Sequence, residues 1–154
     1  MPNTCTQIHI HCVFAVKFRK SVIAADWKDR LYKYITGIVQ NHNHKLLAIN
    51  GMPDHVHLFF GMKATENVAD VMKWVKGSSS EWINEQKFSP FKFQWQMGYG
   101  AFSYSHSQID HVVKYIDNQE EHHRHKTFRQ EYMEFLKAFD VPYDERYIFH
   151  DVLY

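Results

Sequence analysis

Two pairs of histidines that flank a single apolar residue have the spacing that lets both imidazoles bind one metal ion. The pairs are His55 with His57 and His9 with His11, each separated by one apolar residue. Residues two apart in a β-strand point to the same side, with Cα atoms about 6.6 Å apart, so two imidazoles can converge on one ion. This spacing does not rank the pairs, and in a chain with 12 histidines either pair could lie on a solvated strand face.

A tyrosine and a glutamine form the second set. Tyr115 and Gln119 are four residues apart, which places them on one flank of a predicted helix. A tyrosine hydroxyl can attack a phosphodiester, and the phosphotyrosine bond that forms conserves the energy of the bond that breaks. The hydroxyl has a pKa of about 10, so it needs activation. A divalent ion would neutralise the developing charge, and two imidazoles with the Gln119 carbonyl oxygen suit Mn²⁺ well and Mg²⁺ acceptably. Taken alone, Tyr115 could equally be a tyrosine packed at a helix edge.

The periodicity of apolar residues indicates the elements that position these side chains. Alternation predicts strands, and a 3.6-residue period predicts helices. The expected order is strand 6–16, helix 25–41, strands 45–50 and 55–61, helix 67–86, a strand within 91–104, a helix after residue 105 that carries Tyr115 and Gln119, and helix 128–139. This order predicts an α+β, ferredoxin-like split βαβ sandwich with C-terminal helices. We expect helices on one face of the antiparallel sheet and an open second face, available to a partner or a second copy.

Length and composition indicate one globular domain over residues 1–154, with C-terminal additions from about residue 105. The chain is 45% hydrophobic and 23% charged, which excludes a disordered protein. A mean hydropathy of -0.49 and the absence of a long apolar run exclude a membrane span. No signal-peptide pattern is present, and two cysteines do not make a disulfide framework. A cytoplasmic protein is expected.

The charge distribution favours a polyanion-binding surface in the first half of the chain. Residues 1–77 hold ten Lys and Arg and five Asp and Glu, a net charge of +5, whereas residues 78–154 hold eight and twelve, a net charge of -4. Clustered cations can bind nucleic-acid phosphates, although solvated helix faces carry such charges too. The candidate contacts are Lys17, Arg19, Lys20, Lys73 and Lys76.

Three segments resemble the one-tyrosine HUH transposases of small bacterial insertion sequences. They are residues 51–58, 95–103 and 115–123. HUH denotes histidine, a hydrophobic residue and histidine, which His55-Val56-His57 matches. The three motifs occur in the family's order, and the resemblance covers nearly the whole chain, which makes it far more specific than any one motif.

The resemblance implies an enzyme that cleaves and rejoins single-stranded DNA, recognises hairpins near element ends and forms homodimers, in which the tyrosine helix can complete the partner's site. It implies that His55, His57 and Gln119 bind Mg²⁺ or Mn²⁺ and that Tyr115 forms a 5′-phosphotyrosine bond. His9 and His11 lie outside the matched motif.

Two other functions fit the same residues. One is a catalytically silent hairpin-binding module that descends from such a transposase, and it predicts binding without cleavage. The other is a small metal-binding protein that uses the many histidines and does not depend on Tyr115.

Overall fold

A four-stranded antiparallel sheet organises the molecule. The computed structural model describes residues 3–144. The elements are β1 (His9–Ala15), α1 (Lys28–Asn41), β2 (Lys45–Met52), β3 (His55–Gly61), α2 (Val68–Gln86), β4 (Gly100–Tyr104), α3 (Ile109–Asp117), α4 (Gln119–His122) and α5 (Phe128–Ala138). The strand order β2-β3-β1-β4 is that of the ferredoxin-like split βαβ fold, so the predicted fold is confirmed.

The first face of the sheet forms the main core. Alternate residues of β1 and β3, among them Phe14 and Val56, point to this face and are fully buried. They pack against the apolar stripes of α1 and α2, which include Leu31, Ile35 and Val75. Two helices on one face of an antiparallel sheet are what the sequence periodicity predicts.

The second face is covered rather than open, so that prediction is wrong. The buried residues Val13, Phe102, Phe128, Tyr132 and Leu136 form one cluster on this face. The apolar side chains of α5 recur every four residues, which gives this helix a continuous stripe to lay on the sheet. A second cluster on this face packs α3 residues against β2 and β3.

Gly100 allows α5 to lie this close to the sheet. A Cβ atom at this position would lie 2.8 Å from Cε1 of Tyr132. Real Cβ atoms essentially never come this close, so any other residue at the first position of β4 would require the Tyr132 ring to shift.

None of the helices within residues 3–144 is long and apolar enough to cross a membrane.

Candidate active site

The His55 and His57 side chains point to the second face of the sheet, beneath α4 and α5. Both are fully buried, with ring centroids 5.1 Å apart. Val56, between them, points into the core of the opposite face. The strand alternation that the sequence predicts therefore places both imidazoles on one side.

Three imidazoles of the site are held through Nδ1 by protein groups. Nδ1 of His55 lies 2.7 Å from Oδ1 of Asp54. Nδ1 of His57 lies 2.8 Å from Nε2 of His11, and Nδ1 of His123 lies 3.0 Å from the carbonyl oxygen of Lys126. For His55 and His123 the partner is an acceptor, so Nδ1 carries the proton and donates it. Histidines that bind metals are commonly oriented in this way, with Nε2 left to bind the ion.

The three Nε2 atoms converge on one carboxylate oxygen. Oε1 of Glu131 lies 3.0 Å from Nε2 of His57, 3.2 Å from that of His123 and 3.6 Å from that of His55. Oε1 of Gln119 lies 3.1 Å from Nε2 of His55. Donors bound to one metal ion at about 2.0–2.2 Å are themselves roughly 3.0–3.5 Å apart, so these separations suit a shared cation.

The protonation pattern also requires positive charge at this point. Nδ1 of His55 donates its proton to Asp54, so in a neutral ring Nε2 carries a lone pair. That lone pair points at Gln119 and Glu131, whose nearest atoms are both oxygen acceptors. Converging lone pairs repel one another unless a proton or a metal ion lies between them. The donor set of imidazoles, a carboxylate and an amide oxygen fits a divalent cation.

Burial and charge set the protonation of the site. Burial lowers the pKa of His57 and outweighs the opposing charge of Glu131. Burial alone would raise the pKa of Glu131, but its interactions with the imidazoles of His57 and His123 hold it well below its usual range, so the carboxylate is ionised. A neutral imidazole next to a carboxylate is the state in which both groups bind a metal ion.

Tyr115 lies against the same carboxylate, and its hydroxyl donates a hydrogen bond to Oε2 of Glu131. The half-buried ring stacks on His122 with centroids 4.3 Å apart, and it is 6.1 Å from the His57 ring. Burial and then the charge of Glu131 raise the pKa of Tyr115 above its usual value. The hydroxyl is therefore protonated at neutral pH and needs activation before it can attack.

A break in the helix, which the sequence periodicity did not predict, separates Tyr115 from Gln119. Helix α3 ends at Asp117, and Gln119 begins the short α4. The side chain of Asn50 on β2 donates to the carbonyl oxygens of Ile116 and Asp117 at 3.0 and 3.3 Å. These bonds satisfy the end of α3 where the chain turns, so that the Gln119 side chain is fully buried beside His55.

Two cavities adjoin this cluster. One of about 440 Å³ is lined by His11, Tyr104, His111 and Tyr115. The other, of about 490 Å³, is lined by Arg19, Asp54, His123, Arg124 and Lys126. The tyrosine and the metal-ligand cluster are therefore each next to an opening.

A sequence profile of the family described as "Transposase IS200 like" matches residues 4–119. This segment contains the whole sheet, His55, His57, Tyr115 and Gln119. The chain belongs to the IS200-like transposase family. The function of the family is transposition, which implies cleavage and transfer of DNA strands.

Relatives agree with this assignment. The ISDra2 transposase TnpA of Deinococcus radiodurans is 24% identical over 120 residues, which are 73% of this chain and 84% of that protein. A crystal structure of a candidate transposase from the same organism has a TM-score of 0.62 at 23% identity and covers 77% of this chain and 95% of its own. A REP-associated tyrosine transposase bound to a REP hairpin has a TM-score of 0.61 at 13% identity, covering 94% and 91%. These structures share the fold.

Sequence reasoning missed four residues of this transposase's candidate site. Glu131 and His123 lie beyond the profile match; His123 ends the 115–123 segment, whereas Glu131 stands outside the three motifs. His11, which the sequence analysis set aside, is fully buried behind His57. Asp54 precedes the histidine pair directly, and its carboxylate next to a strand histidine was the available signal.

The predicted DNA contacts differ in whether their charged groups already bind other groups of the protein. The Arg19 guanidinium forms an ion pair with Asp54 at 2.7 Å, and the Lys76 ammonium donates to the carbonyl oxygens of Gln96 and Gly98. These two cations bind protein groups. Lys17 donates to Oε1 of Gln94 at 3.0 Å and Lys20 lies 4.3 Å from the centroid of the Phe91 ring, but both side chains lie at the surface, as does that of Lys73.

Asp54 should give the transposase a stability contribution that acid removes. Burial alone would raise the pKa of Asp54, but the hydrogen bond from His55 and the Arg19 charge lower it to about 2. A carboxyl with a depressed pKa stabilises the fold above its unfolded pKa of about 4, and this contribution is lost as the pH falls toward 2. We expect a loss of about 2 kcal/mol over that interval, which Asp54→Asn should lack. Urea unfolding of both proteins measures it, and equal acid sensitivity would contradict it.

Proposed function

We propose that this transposase cleaves and rejoins single-stranded DNA at insertion-sequence ends through a covalent bond between Tyr115 and a 5′ phosphate. The observation that carries the proposal is the shared contact on Glu131: the Tyr115 hydroxyl bonds one carboxylate oxygen, and three imidazole nitrogens surround the other. A nucleophile and a cation-binding cluster thus lie next to each other on a single carboxylate, and phosphoryl transfer requires such proximity.

The chemistry is a transesterification. The Tyr115 oxygen attacks the phosphorus atom, a tyrosine–phosphate bond forms, and the bond from phosphorus to the 3′ oxygen breaks. The tyrosine proton leaves to solvent or a nearby base, and the departing 3′ oxygen takes up a proton. Because one phosphodiester replaces another, a 3′ hydroxyl can later attack the phosphotyrosine and rejoin a strand.

His55, His57 and Gln119 are the proposed ligands of Mg²⁺ or Mn²⁺. The ion would polarise the phosphate and neutralise the charge of the transition state. The chain itself contributes the orientation of the ligands, through Asp54 on His55 and His11 on His57.

The turn after β1 is the proposed entry of the DNA strand. Its Arg19 is anchored to Asp54 and lines the cavity beside His123. Phe18 is 64% exposed and holds a left-handed backbone, with φ of 61°. An exposed aromatic ring between Lys17 and Lys20 suits base stacking next to phosphate contacts.

Removing both lysines should weaken hairpin binding in a salt-dependent way. Replacing Lys17 and Lys20 by alanine deletes up to two phosphate contacts, which lowers the slope of log affinity against log salt by up to about 1.4. Fluorescence anisotropy with a labelled hairpin over a salt series measures the slope. Lys45→Ala is the control, because Lys45 is the first residue of β2 and lies at the other end of the sheet from the turn after β1. An unchanged slope in the double variant would remove these residues from the DNA surface.

Incubation with end-labelled single-stranded hairpin DNA and Mn²⁺ tests the proposed reaction. Cleavage through tyrosine leaves a labelled protein–DNA adduct that survives a denaturing gel, and the adduct should disappear in chelator. Hairpin binding without an adduct would favour the catalytically silent module. Metal binding without DNA binding would favour the small metal-binding protein.

We propose that the active species is a homodimer in the cytoplasm, because two element ends have to be held together for strand exchange. Light scattering of the protein with and without hairpin DNA gives its mass, and a monomer in both conditions would contradict the dimer.

A further inference from the structure

We infer that Glu131 is a shared carboxylate, which binds the proposed metal ion through Oε1 and orients the Tyr115 hydroxyl through Oε2. The inference rests on the proposed function and extends it to α5, a helix that lies beyond the family match. It assigns His123 as a further ligand from the turn before that helix.

The two oxygens of Glu131 face different partners. Oε1 lies within 3.0–3.6 Å of Nε2 of His55, His57 and His123. Oε2 accepts from the Tyr115 hydroxyl and from Nε2 of Gln119, the latter at 3.2 Å. One carboxylate thus spans the space between the ligand cluster and the nucleophile.

The capped first turn of α5 and its packing on His55 fix the position of Glu131. The α5 helix starts with a capping box between Thr127 and Gln130, which fixes its first turn. Phe128 stacks on the His55 ring with centroids 4.0 Å apart. Glu131 is one turn further on the same side and is only 1% exposed. A charge this deeply buried is tolerated when it is paired, and a metal ion pairs it most strongly.

His123 also directs a metal-binding nitrogen at the Glu131 carboxylate, from the turn before α5. Its Nδ1 donates to the Lys126 carbonyl at 3.0 Å, so a neutral ring presents its Nε2 lone pair to the Glu131 carboxylate. Ring centroids of His55 and His123 are 4.8 Å apart. The ligand atoms of His55, His57, His123 and Glu131 all lie within 4.8 Å of one another.

Calorimetric titration with Mn²⁺ tests the ligand role without any DNA. Glu131→Gln keeps the size of the side chain and removes its charge, so we expect Mn²⁺ affinity to fall by about tenfold or more. His123→Asn should lower it too and serves if Glu131→Gln does not fold. Glu134→Gln, on the exposed side of α5, is the matched control and should bind as the wild type does. Wild-type affinity in both site variants would overturn the ligand role.

Adduct formation at saturating Mn²⁺ tests the role in orienting Tyr115. If Glu131 only bound metal, saturation would restore the wild-type rate in Glu131→Gln. Since it also orients the hydroxyl, the rate should stay lower by about tenfold or more. Full recovery would overturn this half of the inference. A wild-type protein that binds Mn²⁺ but forms no adduct would count against the proposed function and leave the calorimetric result standing.

Discussion

Tyr115→Phe should abolish the covalent protein–DNA adduct and leave hairpin binding intact. The change removes one oxygen atom, whereas the ring keeps its stacking on His122 and its edge contact with Phe135. Without the hydroxyl no bond to phosphorus can form, so adduct yield should fall at least about a thousandfold. Denaturing gels quantify the adduct, and anisotropy measures binding.

Tyr104→Phe is the control for this experiment. Tyr104 lines the same cavity as Tyr115, and burial likewise raises its pKa, to about 12. Its hydroxyl makes no contact with Glu131 that the structure records, so this variant should form the adduct normally. Wild-type adduct yield in Tyr115→Phe, or loss of the adduct in Tyr104→Phe, would contradict the assignment of the nucleophile.

A mixture of His57→Ala and Tyr115→Phe proteins should be as inactive as either variant alone. In this structure the Tyr115 hydroxyl bonds Glu131 of its own chain, which in turn contacts His57 of that chain. Each variant would then lack one essential group in every site, and pairing two chains would not combine the intact groups. Gel assays of the separate and mixed proteins, after incubation long enough for subunits to exchange, measure this.

A tyrosine that serves the partner's site would give a different result. In a mixed dimer, one of the two sites would then combine an intact histidine pair with an intact tyrosine. Random pairing would restore roughly a quarter of the wild-type sites. Recovery near that level would contradict the intramolecular arrangement, although not the identity of the nucleophile. Melting curves of His57→Ala check that loss of the buried imidazole has not unfolded the chain.

The fold was largely predictable, because the apolar pattern is regular. Strand β3 was predicted at the residues it occupies, and the ferredoxin-like order followed from the alternation of strand and helix patterns. The covered second face was not predicted. The period of 128–139 shows that this helix has an apolar side, but not which surface that side meets.

The candidate site was predictable only where short-range spacing decides the geometry. His55 and His57 share a side because of strand alternation. Glu131 has no such pattern, since an acidic residue in an amphipathic helix is ordinarily solvated. Its burial results from the docking of α5 on the sheet. The turn at Asn118 was missed because residues 117–127 hold no apolar residue, glycine or proline that could mark a change of direction, and the bonds from Asn50 come from a strand distant in sequence.

The late position of α5 in the chain sets the order in which the cluster can assemble. An isolated helix of 11 residues is not stable in water, so α5 holds its shape only once β1 and β4 offer a surface to dock on. During synthesis the histidine pair is therefore made long before the carboxylate that joins it to the tyrosine. A growing polypeptide still attached to the ribosome therefore lacks the complete cluster until α5, the last helix within residues 3–144, has emerged.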